Sequence, residues 1–133
     1  MTDVSTVLIC GSRTDFDQSL AIKYLTEIRD SHPRDRIIHG GAVGIDSLAD
    51  EIFRQGIGAR IGVQKISVFR PDYARYGKSA PIVRDEAMVR EADFVYALWN
   101  GTSRGTKFVI DKSLELKRNL VVYTIPDGHR EKE

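Results

Sequence analysis

Three glycine-bearing segments each follow directly on an apolar run. They are Gly11-Ser12-Arg13, Gly40-Gly41-Ala42-Val43-Gly44 and Gly101-Thr102-Ser103-Arg104-Gly105-Thr106. Glycine lets the backbone approach an anion closely, and a helix that follows presents the positive end of its dipole at the same place. The pattern therefore predicts a crevice that binds a phosphorylated, nucleotide-like small molecule, as a sensor or a sequestering module.

Charged side chains in and near these segments have two possible roles each. Arg13 can bind a phosphate through two parallel hydrogen bonds, or it can pair with Asp15 or Asp17 at the surface. Asp46 falls in the first turn of a predicted helix, where it can accept ribose hydroxyls or satisfy free backbone N–H groups. Arg84 can reach the same crevice or lie on a solvated helix face. All three stay candidate ligand-binding residues.

The third segment also has two interpretations. Residues 101–106 suit a phosphate, but they are equally typical of a strand-to-helix turn that Thr106 caps. Trp99, just ahead of them, can stack on a base or be a partly exposed core residue. Residues 72–78 mix aromatic, acidic and basic side chains, and such a loop can cover a pocket or form an oligomer interface.

The sequence lacks the residues that covalent catalysis, a Walker-type nucleotide site, a disulfide or a metal site would need. No glutamate or histidine stands in an obvious pair with a nucleophile, and a lone His39 is most often structural. The first segment lacks the Gly-Lys-Ser/Thr ending of a Walker loop. Cys10 is the only cysteine, so it cannot form an internal disulfide, and no cysteine or histidine spacing suits a metal. The sequence predicts no metal site, no cofactor and no identifiable catalytic residue.

Short apolar runs that alternate with helical patterns must position these residues. The predicted strands are residues 7–10, 37–38, 66–69, 94–99 and 120–123, and the predicted helices contain residues 20–28, 45–53, 79–92 and 106–118. This alternation predicts an α/β fold, a doubly wound parallel sheet of about five strands in the order 3-2-1-4-5 with helices on both faces. In that order the three glycine segments meet at the carboxyl edge of neighbouring strands.

Size, composition and charge narrow the class of protein. The chain has 133 residues, 41% hydrophobic and 29% charged, which fits one domain over residues 1–125 and a charged tail, 126–133. No apolar run approaches the ~20 residues of a membrane span, and the start does not read as a signal peptide, so we expect a cytoplasmic protein without a membrane partner. The net charge of +1 makes nucleic acid an unlikely partner.

Four ordered blocks that cover nearly the whole chain resemble one family. Residues 7–13, 39–50, 69–93 and 98–111 are similar to the SLOG superfamily, and most closely to its small YspA-type (YpsA-related) branch. That branch reads Gly-Ser-Arg, then His-Gly-Gly-Ala-x-Gly-x-Asp, then Asp-aromatic-x-x-Tyr-Gly-Lys, and finally aromatic-x-Gly-x-Ser-x-Gly-Thr. The resemblance implies a Rossmann-like fold whose members bind nucleotides, nucleotide sugars or NAD-derived signals. It also implies a homo-oligomer, a dimer or a tetramer.

More distant members of the superfamily are enzymes. The lonely-guy phosphoribohydrolases cleave nucleoside monophosphates and carry the signature Pro-Gly-Gly-x-Gly-Thr-x-x-Glu. Here Val109 stands at the glutamate position and Asn100 replaces the start of the Pro-Gly-Gly opening. The electrostatic help for an oxocarbenium-like transition state is therefore missing. A nucleotide N-glycosidase that uses Asp46, Arg84 or Asp111 instead is an alternative, so whether the chain is an enzyme stays open.

Single-stranded DNA binding is a third, less favoured alternative. The segment Gly-Gly-Ala-x-Gly-Ile-Asp also occurs, with a serine-led variant, in DNA processing protein A, a relative that loads recombination proteins on single strands. The low net charge and the lack of an obvious row of exposed aromatic residues argue against this function here.

Overall fold

Strands and helices alternate in the computed structural model, which describes residues 4–55 and 65–127. The strands are β1 (Thr6–Gly11), β2 (Arg36–His39), β3 (Ile66–Val68), β4 (Phe94–Trp99) and β5 (Asn119–Thr124). The helices are α1 (Gln18–Ser31), α2 (Ile45–Gln55), α3 (Tyr73–Tyr76), α4 (Ala80–Glu91) and α5 (Arg104–Glu115), with a 3₁₀ turn at Gly77–Ser79. Of the predicted tail, only residues 126 and 127 fall within the described ranges. No helix in those ranges combines the length and apolarity needed to cross a membrane.

The sheet confirms the predicted fold class. Its five strands have the order β3-β2-β1-β4-β5, and every neighbouring pair is parallel. The register aligns Gly11 with Leu98 at the ends of β1 and β4, and His39 with Val68 at the ends of β2 and β3. The loops that follow these four strands therefore start from one edge of the sheet.

Helices cover both faces of the sheet because alternate residues of each strand point to opposite sides. Val7 and Ile9 of β1 pack with α1 and α2 in one hydrophobic cluster. Leu8 and Cys10 pack on the other face against α4 and α5. Val7, Leu8 and Ile9 are all fully buried, which explains why β1 reads as a continuous apolar run.

Two local details differ from the sequence-based expectation. The predicted polar loop 71–77 contains the short helix α3, because the side chain of Asp72 accepts a hydrogen bond from Arg75 N at 3.1 Å. Helix α5 begins at Arg104, two residues before the predicted start, and its N-cap is Ser103. Thr106 therefore receives the capping hydrogen bond through its backbone N–H instead of supplying the cap.

Candidate functional site

Two adjoining cavities open at the carboxyl edge of the sheet. The inner cavity has a volume of about 270 Å³ and the outer cavity about 280 Å³. Both are lined by Arg13, Ala42 and Arg84, so together they form one groove. The inner cavity is also lined by Cys10, Gly11, Asp46, Asp85, Met88, Ser103, Arg104, Gly105, Thr106 and Val109. The outer cavity is also lined by Gly40, Gly41, Val43, Arg70, Pro71 and Tyr73.

Most of the predicted ligand-binding residues therefore lie together along this groove. The groove brings together Gly11, Arg13, Gly40, Gly41, Ala42, Asp46, Arg84, Ser103, Arg104, Gly105 and Thr106. The remaining candidates, Ser12, Gly44, Trp99, Gly101 and Thr102, are not among the residues that line either cavity. The role of each residue in ligand binding stays a prediction.

Ser12 and Gly44 hold the start of α2 against the end of β1. Ser12 is fully buried, its hydroxyl accepts a hydrogen bond from Asn100 N at 3.0 Å, and its carbonyl accepts one from Ile45 N at 3.1 Å. Gly44 has a φ of +83°, and a Cβ built there would lie 2.5 Å from the carbonyl oxygens of Ser12 and Arg13. Only glycine allows the two segments to approach this closely.

Trp99, Gly101 and Thr102 belong to the turn between β4 and α5. The indole N–H of Trp99 donates to the carbonyl of Ser103 at 3.0 Å. Gly101 has a φ of +92°, which bends the chain toward the helix. Asn100 Oδ1 accepts hydrogen bonds from Thr102 N at 2.9 Å and Ser103 N at 3.0 Å. These contacts fix the path of the turn beside the groove.

The first three backbone donors of the central loop, residues 40–44, are hydrogen-bonded within the protein. Asp46 Oδ2 accepts hydrogen bonds from Gly40 N and Ala42 N, both at 3.1 Å. Gly41 N donates to His39 Nδ1 at 3.0 Å, so the ring proton lies on Nε2, which donates to Asp50 Oδ2 at 2.7 Å. These three N–H groups of the predicted phosphate cradle are therefore already hydrogen-bonded to protein atoms.

In the α5 loop, residues 101–106, the two backbone donors at the start of the helix are open. Within the described residues, the backbone N–H groups of Arg104 and Gly105 make no hydrogen bond. Both residues line the inner cavity at the N-terminus of α5. These amides and the positive end of the helix dipole can therefore accept an anion there.

Arg84 is buried, and two of its three guanidinium nitrogens are hydrogen-bonded. Its Nη1 donates to the carbonyl of Gly40 at 2.6 Å and to that of Phe69 at 3.1 Å, and its Nε donates to Asp85 Oδ1 at 2.6 Å. Arg84 thus ties α4 to the residues that follow β2 and β3. Of the two positions that the sequence left open for Arg84, the solvated helix face is not the one it occupies.

Three rim arginines, Arg13, Arg70 and Arg104, are exposed and line the groove. Among the described residues, their side chains have no hydrogen-bond or ion-pair partner. Arg13 thus does not form the surface pair with Asp15 or Asp17 that the sequence left open. Guanidinium groups that no other described residue engages are available to bind phosphate oxygens in pairs.

Carboxyl groups in the inner cavity are less acidic than usual. Burial raises the pKa of Asp46 from 3.8 to about 6, although hydrogen bonds from Ala42 and Gly40 and the charge of Arg84 act in the opposite direction. Burial also raises the pKa of Asp85, against the charges of Arg84 and Arg13. Perturbed carboxyl groups that line a cavity are typical of functional sites.

Eight residues that line the groove were not among the predicted site residues, and the sequence contains signals for two of them, Arg70 and Tyr73. Arg70 comes directly after a strand-forming run and is a basic residue at the same edge of the sheet as Arg13. Tyr73 lies in the segment predicted to cover a pocket, lines the outer cavity and is 60% exposed. Both signals depend on where the residue stands relative to the end of a strand. Such a position points to the groove only once the order of the strands in the sheet is known.

Fold and groove together define a class: a Rossmann-like α/β protein with an anion-compatible groove at the carboxyl edge of its sheet. Among solved structures, the chain is similar to DNA processing protein A from Helicobacter pylori, which binds single-stranded DNA. The match has a TM-score of 0.64 and 16% identity, and it covers 96% of this chain and 70% of that chain. Neither a family model nor a curated protein matches the sequence. At this identity, the likeness shows the fold.

The expectation that nucleic acid is an unlikely partner is wrong on this comparison, because a protein of the same fold binds single-stranded DNA. The physical reason is that net charge sums over the whole surface, whereas a strand responds to the local field. A chain of net charge +1 still places three rim arginines along one groove. The expected dimer or tetramer stays a prediction.

Proposed function

We propose that the groove binds single-stranded nucleic acid, with the phosphates held by the rim arginines. The observation that carries this proposal is that Arg13, Arg70 and Arg104 line two joined cavities and have no side-chain partner among the described residues. They come from the loops after β1 and β3 and from the start of α5, so they are spread along the groove. A row of cations along a groove suits a chain of phosphates.

Apolar and aromatic surface beside the arginines suits the bases. Tyr73 and Val43 are 60% and 65% exposed where they line the outer cavity. Met88 and Val109 form an apolar wall in the inner cavity. Bases of a single strand can stack on an exposed aromatic ring without sequence preference. The structural likeness to a single-stranded DNA-binding protein supports the same function.

Salt dependence of binding tests the role of the arginines. If each rim arginine neutralises one phosphate, the affinity for a single strand should fall with a log–log slope of about −2 between roughly 50 and 200 mM salt. Replacing Arg13, Arg70 or Arg104 with Gln should reduce that slope by about 0.7 each. Fluorescence anisotropy with a labelled oligo-dT strand measures this.

The matched control is Arg90→Gln, which removes an exposed arginine of α4 that pairs with Glu86 away from the groove. It should leave the slope unchanged. If Arg90→Gln and the rim variants lower the slope equally, the cations act through overall charge and the groove is not the binding site.

A nucleotide-derived small molecule is a second candidate ligand, favoured by the inner cavity. Its volume of about 270 Å³ lies near the lower end of small-molecule sites. Val109 lines this cavity at the position where the lonely-guy enzymes carry glutamate, so this wall favours binding over cleavage.

We also propose that the chain belongs to the YspA-type branch, which the four motif blocks support.

Strand length separates the two candidates. Affinity that rises steeply from a mononucleotide to a strand of about eight nucleotides supports a nucleic-acid groove, because only a strand can contact all three rim arginines at once. If a nucleoside monophosphate or an ADP-ribose compound binds as tightly as the strand, the ligand is the small molecule. Isothermal titration calorimetry measures both.

A further inference from the structure

Asp46 has one carboxylate oxygen engaged and one open. Its side chain is 7% exposed, and Oδ2 accepts the hydrogen bonds from Gly40 N and Ala42 N. Within the described ranges, Oδ1 receives no hydrogen bond. Ser113 Oγ is the one side-chain polar atom there that is both fully buried and without a partner, so Oδ1 is not fully buried. Because Asp46 lines the inner cavity, Oδ1 is open to that cavity.

An open carboxylate oxygen in a cavity restricts what can lie beside it. It repels phosphate, so the phosphates belong at the rim arginines and at the N-terminus of α5. It attracts groups that donate hydrogen bonds, and a nucleotide unit carries two kinds: N–H groups on its base, from an amino group or from a ring nitrogen, and hydroxyls on its sugar. A buried acceptor left without a donor is unfavourable. Asp46 should therefore favour ligands that bring a donor over ligands that do not.

We propose that Asp46 selects strands that place a hydrogen-bond donor, a base amino group or a sugar 2′-hydroxyl, in the inner cavity. This inference rests on the proposed binding of single strands in the groove. Asp46 is then a specificity-determining residue, while the rim arginines supply affinity without regard to sequence.

Protonation should switch this selection off. Both hydrogen bonds from the central loop reach Oδ2, so an added proton goes to Oδ1 and turns the open acceptor into a donor. Burial places the pKa of Asp46 at about 6, so the switch falls in a range that is easy to reach experimentally. Below that pH, the cavity should no longer favour donor groups.

Several other charged or titratable groups surround Asp46 and must be separated from it. They come from β1, the loop after it, β2, α4 and α5: Cys10, Arg13, His39, Arg84, Asp85 and Arg104. Asp46→Asn keeps all of them. Asparagine can accept the same two backbone hydrogen bonds through its Oδ1 while its amide N–H₂ faces the cavity. Any pH dependence that survives in this variant belongs to the other groups.

The test compares labelled strands of N3-methylated oligo-dU, oligo-dC and N3-methylated oligo-U by fluorescence anisotropy at about pH 7.5 and about pH 5. The methyl group removes the ring N–H donor of uracil, so the deoxy strand carries no donor on its bases and no 2′-hydroxyl. Wild-type protein at the higher pH should bind one donor-bearing strand about tenfold more tightly than this deoxy strand. A preference for oligo-dC assigns the base amino group, and a preference for N3-methylated oligo-U assigns the 2′-hydroxyl. The preference should fall below about twofold at the lower pH, and in Asp46→Asn at both pH values.

The matched control is Asp30→Asn, which removes an exposed carboxylate of α1 that pairs with Arg29. It should keep the preference. Equal affinity of the wild type for all three strands, or a preference that Asp46→Asn retains, overturns the role of Asp46 and leaves strand binding intact. If none of the strands binds, the proposed function fails and this inference fails with it. The wild-type pH profile tests the same point without a substitution.

Discussion

The central loop and the α5 loop look alike in sequence but present different groups to the groove. Both follow a strand, both contain glycines and both lead into a helix. In the central loop, Asp46 and His39 accept the hydrogen bonds of Gly40, Gly41 and Ala42. In the α5 loop, the amides of Arg104 and Gly105 have no hydrogen-bond partner among the described residues.

A glycine motif therefore indicates backbone geometry and does not indicate whether donors are available. In the central loop, a carboxylate of the same chain occupies the position where an anion was expected. In the α5 loop, Ser103 caps only Thr106 N and leaves the first turn of the helix open to the cavity. The two loops thus divide the groove into a part that presents an acceptor and a part that presents donors.

The largest effect should come from Arg84, which holds the carbonyl of Gly40. Arg84→Gln should lower the free energy of unfolding by about 3–5 kcal/mol, because Asp85 would be left buried without its partner. Arg104→Gln in the α5 loop should change it by less than about 0.5 kcal/mol. Urea unfolding of both variants measures the difference. Equal losses would show that the central loop depends on Arg84 no more than the α5 loop depends on Arg104.

A pair of glycine substitutions should give the next effect. Gly44→Ala should cost roughly 3 kcal/mol, because the new Cβ would lie 2.5 Å from two carbonyl oxygens at a φ of +83°. Gly101→Ala has a similar φ of +92° but no atom within 4 Å of the new Cβ, so it should cost only about 1 kcal/mol. Calorimetric unfolding checks both, and similar transition temperatures would argue against the close approach at Gly44.

Asp46→Asn should give the smallest effect, and its sign depends on pH. The folded-state pKa of about 6 exceeds the ordinary 3.8, so the stability that protonation contributes is full below pH 3.8 and is lost as the pH rises through 6. Relative to wild type, the variant should gain about 2 kcal/mol between pH 4 and pH 7.5. This is less than the ~3 kcal/mol set by the full shift, because the carboxyl of the unfolded chain is already partly ionised at pH 4.

Urea unfolding at several pH values measures this gain. Asp50→Asn is the matched comparison on the same helix, because hydrogen bonds from Arg54 and His39 outweigh burial and lower the pKa of Asp50. Its pH dependence should have the opposite sign. A constant difference between Asp46→Asn and wild type across the range would show that Asp46 titrates normally in the folded protein.

The fold could be predicted from the sequence because its central strands are buried on both faces. Runs such as 7–10 and 94–99 are apolar without alternation, and this indicates a parallel sheet covered by helices. The strand order then followed from the βαβ alternation. Helix α3 could not be predicted, since four residues are too few to show a helical period and the capping by Asp72 is a single local contact.

The groove was predictable in position but not in detail. Arg13, Ala42 and Arg104 lie together because the strands before them end at one edge of the sheet, and this follows from the strand order alone. The sequence left open whether Asp46 meets a ligand or backbone N–H groups, and its two oxygens allow both. That distinction depends on how the central loop folds back over α2, which no local pattern encodes. The sequence also left open whether Arg84 reaches the crevice or lies on a solvated helix face, because its burial comes from contacts with Gly40 and Phe69 far away in the sequence.

The position of Cys10 gives this protein a built-in chemical reporter. It is the only thiol in the chain, and it lies in the wall of the inner cavity. Burial, and then the nearby carboxylates of Asp46 and Asp85, raises its pKa well above 9.0, so an alkylating reagent should modify it slowly at neutral pH. A molecule seated in the cavity should slow that modification further. Intact-mass spectrometry can therefore follow occupancy as a single covalent adduct, on unlabelled protein and without an introduced probe.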